Sequence, residues 1–385
     1  MANTLTNLIP AAYQALDRVS RELTGLIPSV NRDLRADAVA QNQTLYVPVA
    51  PANTTSSITP AMTVTAASDQ TIGTKTVTIS NFKVSSFGYT GEEVYSLDQG
   101  PGSGVLMVDQ IEQAIRVLAN EIENALWVAA YKNASRAYGT AATTPFDSTN
   151  KLAFTAQLKK ILDDNGAPAA DRSLVIDTTS GAALRTLTQL TNVNESGTNM
   201  TLRDGQLLDV HGFSIKESSQ IASVTAGTAS GATTDNTGYA VGTTVLTLAS
   251  AGTGTILAGD VITFAGDSNK YVVVSGDADV SNGGSITIAA PGLKVAMSAA
   301  TKAITMVASS VRNVAFSRNS LLLATRLPKV GAQDLATDRQ VITDARSGLS
   351  FELAMYPGYR MNKVEVAIAY GVASIKPEHS AVLLG

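Results

Sequence analysis

One segment limits what this chain can become. From residue 105 to residue 137 the sequence holds neither glycine nor proline, and Val108, Ile111, Ile115, Leu118, Ile122, Ala125 and Ala129 recur at alternating steps of three and four. That spacing lines one face of a helix with apolar side chains. At 1.5 Å per residue the helix is roughly 45–50 Å long. Glu112 and Arg116 read as an i,i+4 ion pair on its solvated side. A helix of this length needs an equally long partner. No second such helix is visible in the sequence, so a coiled coil or bundle is disfavoured and packing on a long sheet is expected. The one tryptophan, Trp127, sits on the same helix and reads as packing.

The remaining sequence leans towards small and β-branched residues, which favour extended structure. With 385 residues there is room for two or three packing units. Charged residues make up only 16% and aromatics 5%, so much of the nominal surface reads as interface. The net charge of −4 leaves no basic footprint for nucleic acid over the chain as a whole. There is no cysteine, so disulfides are excluded. No apolar run reaches the ~18–20 residues of a membrane span. The opening MANTLTNLIPAAYQAL lacks the basic start and apolar centre of a signal peptide, and the protein reads as intracellular when made.

Residues 10 to 24 read as a helix carrying Leu16, Val19 and Leu23, ended by Gly25 and Pro28. Residues 29 to 43 read as an arm of mixed charge, and QTLYVPVAP (43 to 51) as a strand stopped by Pro48 and Pro51. Residues 74 to 94, with the stretch before them, read as a two-stranded ribbon too poor in apolar area to bury itself, so it needs a neighbour to lie on. An α/β alternation follows. It has a helix over 152 to 162, the buried strand RSLVID (172 to 177), a helix capped by Thr178-Thr179, and a strand pair between Gly205 and Ile215. Residues 222 to 307 change character again. The strands VLTLAS, GDVITFA, KYVVVSG and SITIA, separated by glycine turns, read as a small β-barrel or sandwich, with Thr225 to Gly238 as a mobile loop.

No constellation of catalytic or metal-binding residues emerges. His211 and His379 are the only histidines, far apart in sequence and without a ligand at i+4. The cluster Gly100-Pro101-Gly102-Ser103-Gly104 lacks the Gly-Lys-Ser/Thr of a phosphate loop and reads as a hinge. Asp163, Asp164 and Asn165, and likewise Asp277, Asp279 and Asn282, lack the spacing of a calcium loop and read as turns. The expectation is no catalytic, cofactor or metal site, and no enzyme.

The last quarter of the chain carries a resemblance. Residues 313 to 328 run NVAFSRNSLLLATRLP. Residues 348 to 384 run GLSFELAMYPGYRMNKVEVAIAYGVASIKPEHSAVLL, with a break at Pro357-Gly358, a strand through Val364, Val366 and Ile368, and then Tyr370-Gly371 and Lys376-Pro377-Glu378. The whole resembles the C-terminal part of tailed-phage major capsid proteins, in the short-tailed-phage subfamily whose coat carries an inserted β-domain. The insert resembles that domain more weakly, through GDVITFAGD and ITIAAPGL. In that subfamily the stretch near AFSRN tends to read Ala-Phe-His-Arg-Asp. Ala315, Phe316 and Arg318 match, while Ser317 and Asn319 depart, so no family contact is carried over at those two positions.

The resemblance implies an α+β Hong Kong 97-type capsid fold. Its parts would be an N-terminal arm (1–51), an extended ribbon or E-loop (52–104), a P-domain spine helix (105–150), an A-domain (151–221), an inserted all-β domain (222–307) and a return to A- and P-domain strands (308–385). It further implies a structural shell subunit of an icosahedral phage head, assembling as hexamers and pentamers around double-stranded DNA without sequence-specific contacts. The implied partners are a scaffolding protein, a portal and an optional decoration protein. The place of assembly is the host cytoplasm and the final location the virion, with no membrane and no cofactor involved. The arm's Asp17, Arg18, Arg21, Glu22, Arg32 and Asp33 would meet the scaffold inside the shell. Lys75 and Lys83 lie in the ribbon, but no motif assigns either to a covalent crosslink. Two other readings stay open: an encapsulin-type nanocompartment subunit and a secreted β-rich surface protein. Whichever holds, Ile115 and Ile122 are expected to face a sheet near Phe351 to Ile368. Ile115→Asp would then bury an unpaired charge at a cost of several kcal/mol. The expected outcome is insoluble protein; soluble, normally folded Ile115→Asp protein would place the helix face elsewhere.

Overall fold

A computed structural model of the protein describes residues 23–50, 72–98, 103–147, 152–192, 200–331, 334–344 and 347–385, with positions 55, 57, 60, 62 and 194 between them. In chain order it begins with strands β1 (Asn31–Val39), β2 (Gln43–Val49), β3 (Gly73–Ile79) and β4 (Asn81–Thr90). The short helix α1 (Gly91–Asp98), the long helix α2 (Ser103–Lys132) and β5 (Arg136–Gly139) follow. Next come α3 (Ala153–Asp164), β6 (Arg172–Ile176), α4 (Thr178–Arg185), the single turns α5 (Thr188–Thr191) and α6 (Met200–Asp204), and β7 (Phe213–Glu217). Six short strands come after these: β8 (Ser223–Val224), β9 (Val245–Leu248), β10 (Val261–Phe264), β11 (Lys270–Ser275), β12 (Gly284–Ile288) and β13 (Ile304–Met306). The return comprises β14 (Ser310–Ser317), β15 (Leu321–Pro328), β16 (Asp338–Thr343), β17 (Ser350–Gly358), β18 (Met361–Ser374) and β19 (Ser380–Leu384).

The long helix finds its long sheet. One side of β18 pairs with β4 from Met361 to Tyr370. The other side pairs first with β17 and then with β15, which in turn carries β1. Ile111, Ile115, Leu118 and Ile122 of α2 share one core with Phe351, Leu353, Val364, Val366 and Ile368. Beyond Ile122 the buried stripe moves to Leu126 and Ala130, and the expected Ala125 and Ala129 are half-buried. A strict three-four alternation averages 3.5 residues per turn, and a straight helix drifts from it by about 20° per heptad. The same rotation carries Glu112 into the buried set, not onto the solvated side.

The second sheet runs β13-β10-β11-β5-β19-β14-β6-β7. Both of its faces are covered in the middle. Val175, Val314, Phe316, Val382 and Leu384 point to the α2 core. Their strand neighbours Leu174, Ile176, Ala315, Ala381 and Leu383 point to a second core with Phe154, Leu158 and Leu162 of α3. Burial on two faces explains why RSLVI, NVAF and AVLL read as continuous apolar runs, not alternating ones. Residues 222–307 supply a third core around Leu246, Ile262, Phe264, Val273 and Ile286. All four strands expected there form. They do not stand apart from the body, because β11 pairs with β5 and extends the second sheet.

Several local expectations change. The stretch read as an arm is, from residue 23 onward, part of the body: Leu26, Ile27 and Val30 are fully buried and β1 pairs in parallel with β15. Arg32 donates to the Ser347 carbonyl and Arg326 pairs with Asp33 at 2.7 Å, so these two arm charges are engaged within the subunit. The expected helix over residues 10 to 24 lies outside the described residues as far as residue 22, and with it Asp17, Arg18, Arg21 and Glu22; Leu23 and Thr24 are not helical. β2 continues through Pro48, which an edge strand tolerates.

The ribbon is β2 against β3, from Gln43↔Ile79 to Val49↔Gly73. Most of residues 51–71 lies outside the described residues, and β4 belongs to the body sheet. The ribbon's root lies on its own subunit: Val77 and Ile79 pack on Leu322, Ala324 and Ala369, on the sheet face opposite α2. Gly371 permits this, since a Cβ there would meet the Thr78 carbonyl oxygen at 2.5 Å.

Asp177, not Thr178, caps α4 through the amides of Thr179 and Ser180. The strand pair expected over 205–215 reduces to a tight turn, Val210 to Phe213, ahead of β7. The hairpin between β17 and β18 turns at Tyr359-Arg360, one step after the expected break. β16 arises in what read as a polar spacer. Thr225 to Gly238 is tacked down by bridges from Ser230, Thr233 and Thr234, with Ala232 buried.

One side chain joins the incoming chain to α2. Glu123 is fully buried, and its carboxylate accepts from the amides of Gly25 and Leu26 at 2.7 Å and of Ile27 at 2.9 Å. Burial pushes its pKa up; the amide donors pull the other way. Glu123→Ala strands three buried N–H groups at about 1–3 kcal/mol each. Glu123→Gln keeps one oxygen acceptor but turns an NH2 towards an N–H. The expected order of stability in urea unfolding is wild type, then Gln, then Ala, with Ala lower by at least about 3 kcal/mol. Equal midpoints for all three proteins would show that this contact is dispensable.

Candidate functional site

The residues singled out for chemistry form no common site among the described residues, and most are already engaged. His211 is exposed at the turn before β7, with Nδ1 2.6 Å from the Thr155 hydroxyl. His379 is buried before β19, and its Nδ1 has no hydrogen-bond partner. Asp163 pairs with Arg172 at 2.7 Å, Asp164 lies 3.4 Å from Arg136, and Asn165 donates to Ser135 and to the Glu378 carbonyl. Asp279 caps a short turn and accepts from Ser281 and Asn282, while Asp277 accepts from the Asp279 amide. Trp127 is buried and donates to the Arg312 carbonyl at 2.8 Å, which makes it packing. Lys83 pairs with Glu121 of α2 at 2.6 Å. Among the described residues, no group of three or more His, Cys, Asp or Glu could hold a metal ion. No helix among them is long and apolar enough to cross a membrane.

Sequence reasoning missed the buried charges that tie the units together. Arg312 of β14 is fully buried, and none of its three side-chain nitrogens has a hydrogen-bond partner. Burial lowers its pKa, opposed by the charge of Asp260 and by Tyr131. Asp260 is buried as well and accepts from the amides of Gly227 and Leu257. It links the segment 222–307 electrostatically to β14. A usable signal existed only for Asp260, which interrupts the apolar run from Ile256 to Ile262, where a charge needs a dedicated partner; Glu123 and Arg312 stand beside other polar residues, Glu121 and Asn124 in one case and Ser310 and Asn313 in the other.

Among the described residues, the sheet edges at β4 and β16 lack a neighbouring strand. β4 pairs with β18 on one side only, and β16 with β17 on one side only. Such edges present free backbone donors and acceptors that template further pairing. Large apolar side chains sit beside them: Val84 on β4, Val341 on β16 and Leu335 just before it. Tyr46 on the ribbon is 70% exposed, and Tyr359 at the β17–β18 turn is 92% exposed. Among the described residues, nothing covers these edges and tips.

No family model matches the chain, and no curated protein sequence matches it significantly. Solved structures do. The capsid of the cyanophage P-SCSP1u superposes with a TM-score of 0.53 at 13% identity, covering 94% of this chain and 88% of that one. The mature capsid of bacteriophage PhiM1 gives 0.49 at 12% identity, covering 93% and 86%. A virus-like particle from Pyrococcus furiosus gives 0.42 at 10% identity, covering 97% and 96%. The class is therefore an α+β protein of large sheets and few helices. Its fold is that of phage capsid proteins, the Hong Kong 97 type, and the cyanophage capsid carries that assignment.

His379 makes one feature of the fold measurable. Burial lowers its pKa, with Lys376 and Arg172 acting in the same sense and Glu378 against. Its folded value thus lies below the unfolded one. The stability it contributes is whole above about pH 6.5 and is lost as pH falls through the folded value. His379→Asn should make the urea midpoint less sensitive to pH between about 7 and 5. An unchanged pH slope would mean that His379 is as readily protonated folded as unfolded.

Proposed function

We propose that this protein is the major capsid subunit of a tailed phage, forming hexamers and pentamers of an icosahedral head around double-stranded DNA. The carrying observation is the fold match over nearly all of both chains to the cyanophage P-SCSP1u capsid. The open edges of β4 and β16 and the exposed Tyr46 and Tyr359 support it, because they offer the contacts that a closed shell repeats many times. Weak contacts suffice, since closure multiplies them. A shell wall filled by a packaging motor needs no phosphate affinity, which fits a net charge of −4.

Within this reading β2–β3 is the base of the E-loop, α2 the P-domain spine, and the α3–β7 region with β14 and β19 the A-domain. Residues 222–307 form an inserted β-domain that shares its sheet with the A-domain through β5. A scaffolding protein and a portal act during assembly, a decoration protein is an optional later partner, and the subunit's final place is the virion. The subunit's role is structural, without catalysis.

The test is negative-stain microscopy of the expressed protein, alone and co-expressed with the genes beside its own. Angular shells, or tubes built of the same hexamers, are the expected result. Small uniform shells loaded with a cargo enzyme would transfer the reading to a nanocompartment. Monomers under every condition would overturn it.

A further inference from the structure

Where α3, β5 and the loop leading into β11 meet, they enclose a cavity of about 350 Å³. Its charged lining is Arg136, Lys160 and Lys270 against a single carboxylate, Asp164. We propose that this cavity binds a compact oxyanion of the phosphate or carboxylate class. The reading does not depend on the protein's role in a shell.

The cations are poorly compensated from within. Arg136 is 5% exposed; Nη1 donates to Asn269 Oδ1 at 3.1 Å, Nη2 has only long contacts, 3.4 Å each, to the Ile161 carbonyl, Asp164 and Asn165 Oδ1, and Nε has no hydrogen-bond partner. Lys270 donates to the Gly139 carbonyl, a dipole without net charge. Burial lowers the Lys270 pKa, and no neighbouring carboxylate offsets that effect. Of the three cations only Arg136 is largely withdrawn from water, and a cation so placed is costly unless an anion joins it. Neutral groups able to orient such an anion line the same space: Thr140, Gln157, Ser268 and Asn269.

The volume suits a polyatomic ion or an inserted acidic side chain. A second cavity, beside β4 and β17, is balanced by contrast. There Lys83, Lys329 and Arg339 face Asp334, Glu352 and Glu365, three charges of each sign, and no anion is called for. Because Ser268, Asn269 and Lys270 come from the segment 222–307 while Arg136 and Lys160 come from outside it, a bound anion would clamp that segment to the rest of the subunit.

The experiment titrates the unassembled full-length protein into inorganic phosphate and follows the ³¹P linewidth, with ionic strength held constant by chloride. Wild type should broaden the signal saturably. The double variant Lys160→Gln, Lys270→Gln, at positions that are exposed or half-exposed, should keep its circular dichroism and bind at least about tenfold more weakly. The same titration on assembled particles separates the sources. Phosphate binding retained in particles assigns a free anion; binding lost on assembly assigns the carboxylate of a second copy of this chain. Equal broadening by wild type and variant, or none by wild type, would overturn the proposal.

Discussion

The structure depends on a match of lengths. α2 has 30 residues, or about 45 Å, and β18 has 14, or about 46 Å at 3.3 Å per residue. A long apolar stripe must be buried along its length, and two sheets share that burial: α2 packs on β18 and β4 of the first sheet and on β14, β11 and β19 of the second. β18 is extended enough because it borrows partners in series: β17 along its first half, β15 along its second, and β4 along most of the other side. The alternation of β15 then gives the sheet a second apolar face. Leu321 and Leu323 go to the helix core, and Leu322 and Ala324 go to the root of the ribbon.

Buried charge decides how the parts are joined. Glu123 lies one residue from the apolar stripe and fastens the backbone of Gly25 to Ile27 onto α2. Asp260 and Arg312 stand in the same relation between the segment 222–307 and β14. Such groups add little net stability compared with apolar side chains of equal volume. Breaking one partner is nevertheless expensive, so they select one arrangement of the parts over others. That suits a protein with separate cores that must be held in a single register.

The surfaces that the chain leaves open are of another kind. They are backbone edges and exposed aromatic tips, not pockets lined by reactive groups. A protein that worked alone would blunt such edges with charge or cover them. Here Val84, Val341 and Leu335 sit on or beside them. Under the proposed shell role, the low charge content has the same reason: surface that enters contacts gains nothing from solvation that assembly removes again.

By itself the sequence determined the elements whose signal is local. These are the long helix, the doubly buried strand β6, the hairpin of β17 and β18, and the four strands within 222–307. Helical period, unbroken apolar runs and glycine turns are written in neighbouring residues and need no knowledge of the fold. The C-terminal motif added the architecture by resemblance. Tertiary structure alone decided the rest. It decided that residues 31–39 form a strand beside β15, that β4 leaves the ribbon to pair with β18, and that Pro48 sits inside a strand. It also decided that Glu123 and Arg312 are buried. In each of these cases the deciding partner lies far away in sequence, so the free energy that fixes the conformation belongs to a contact and not to the residues that adopt it.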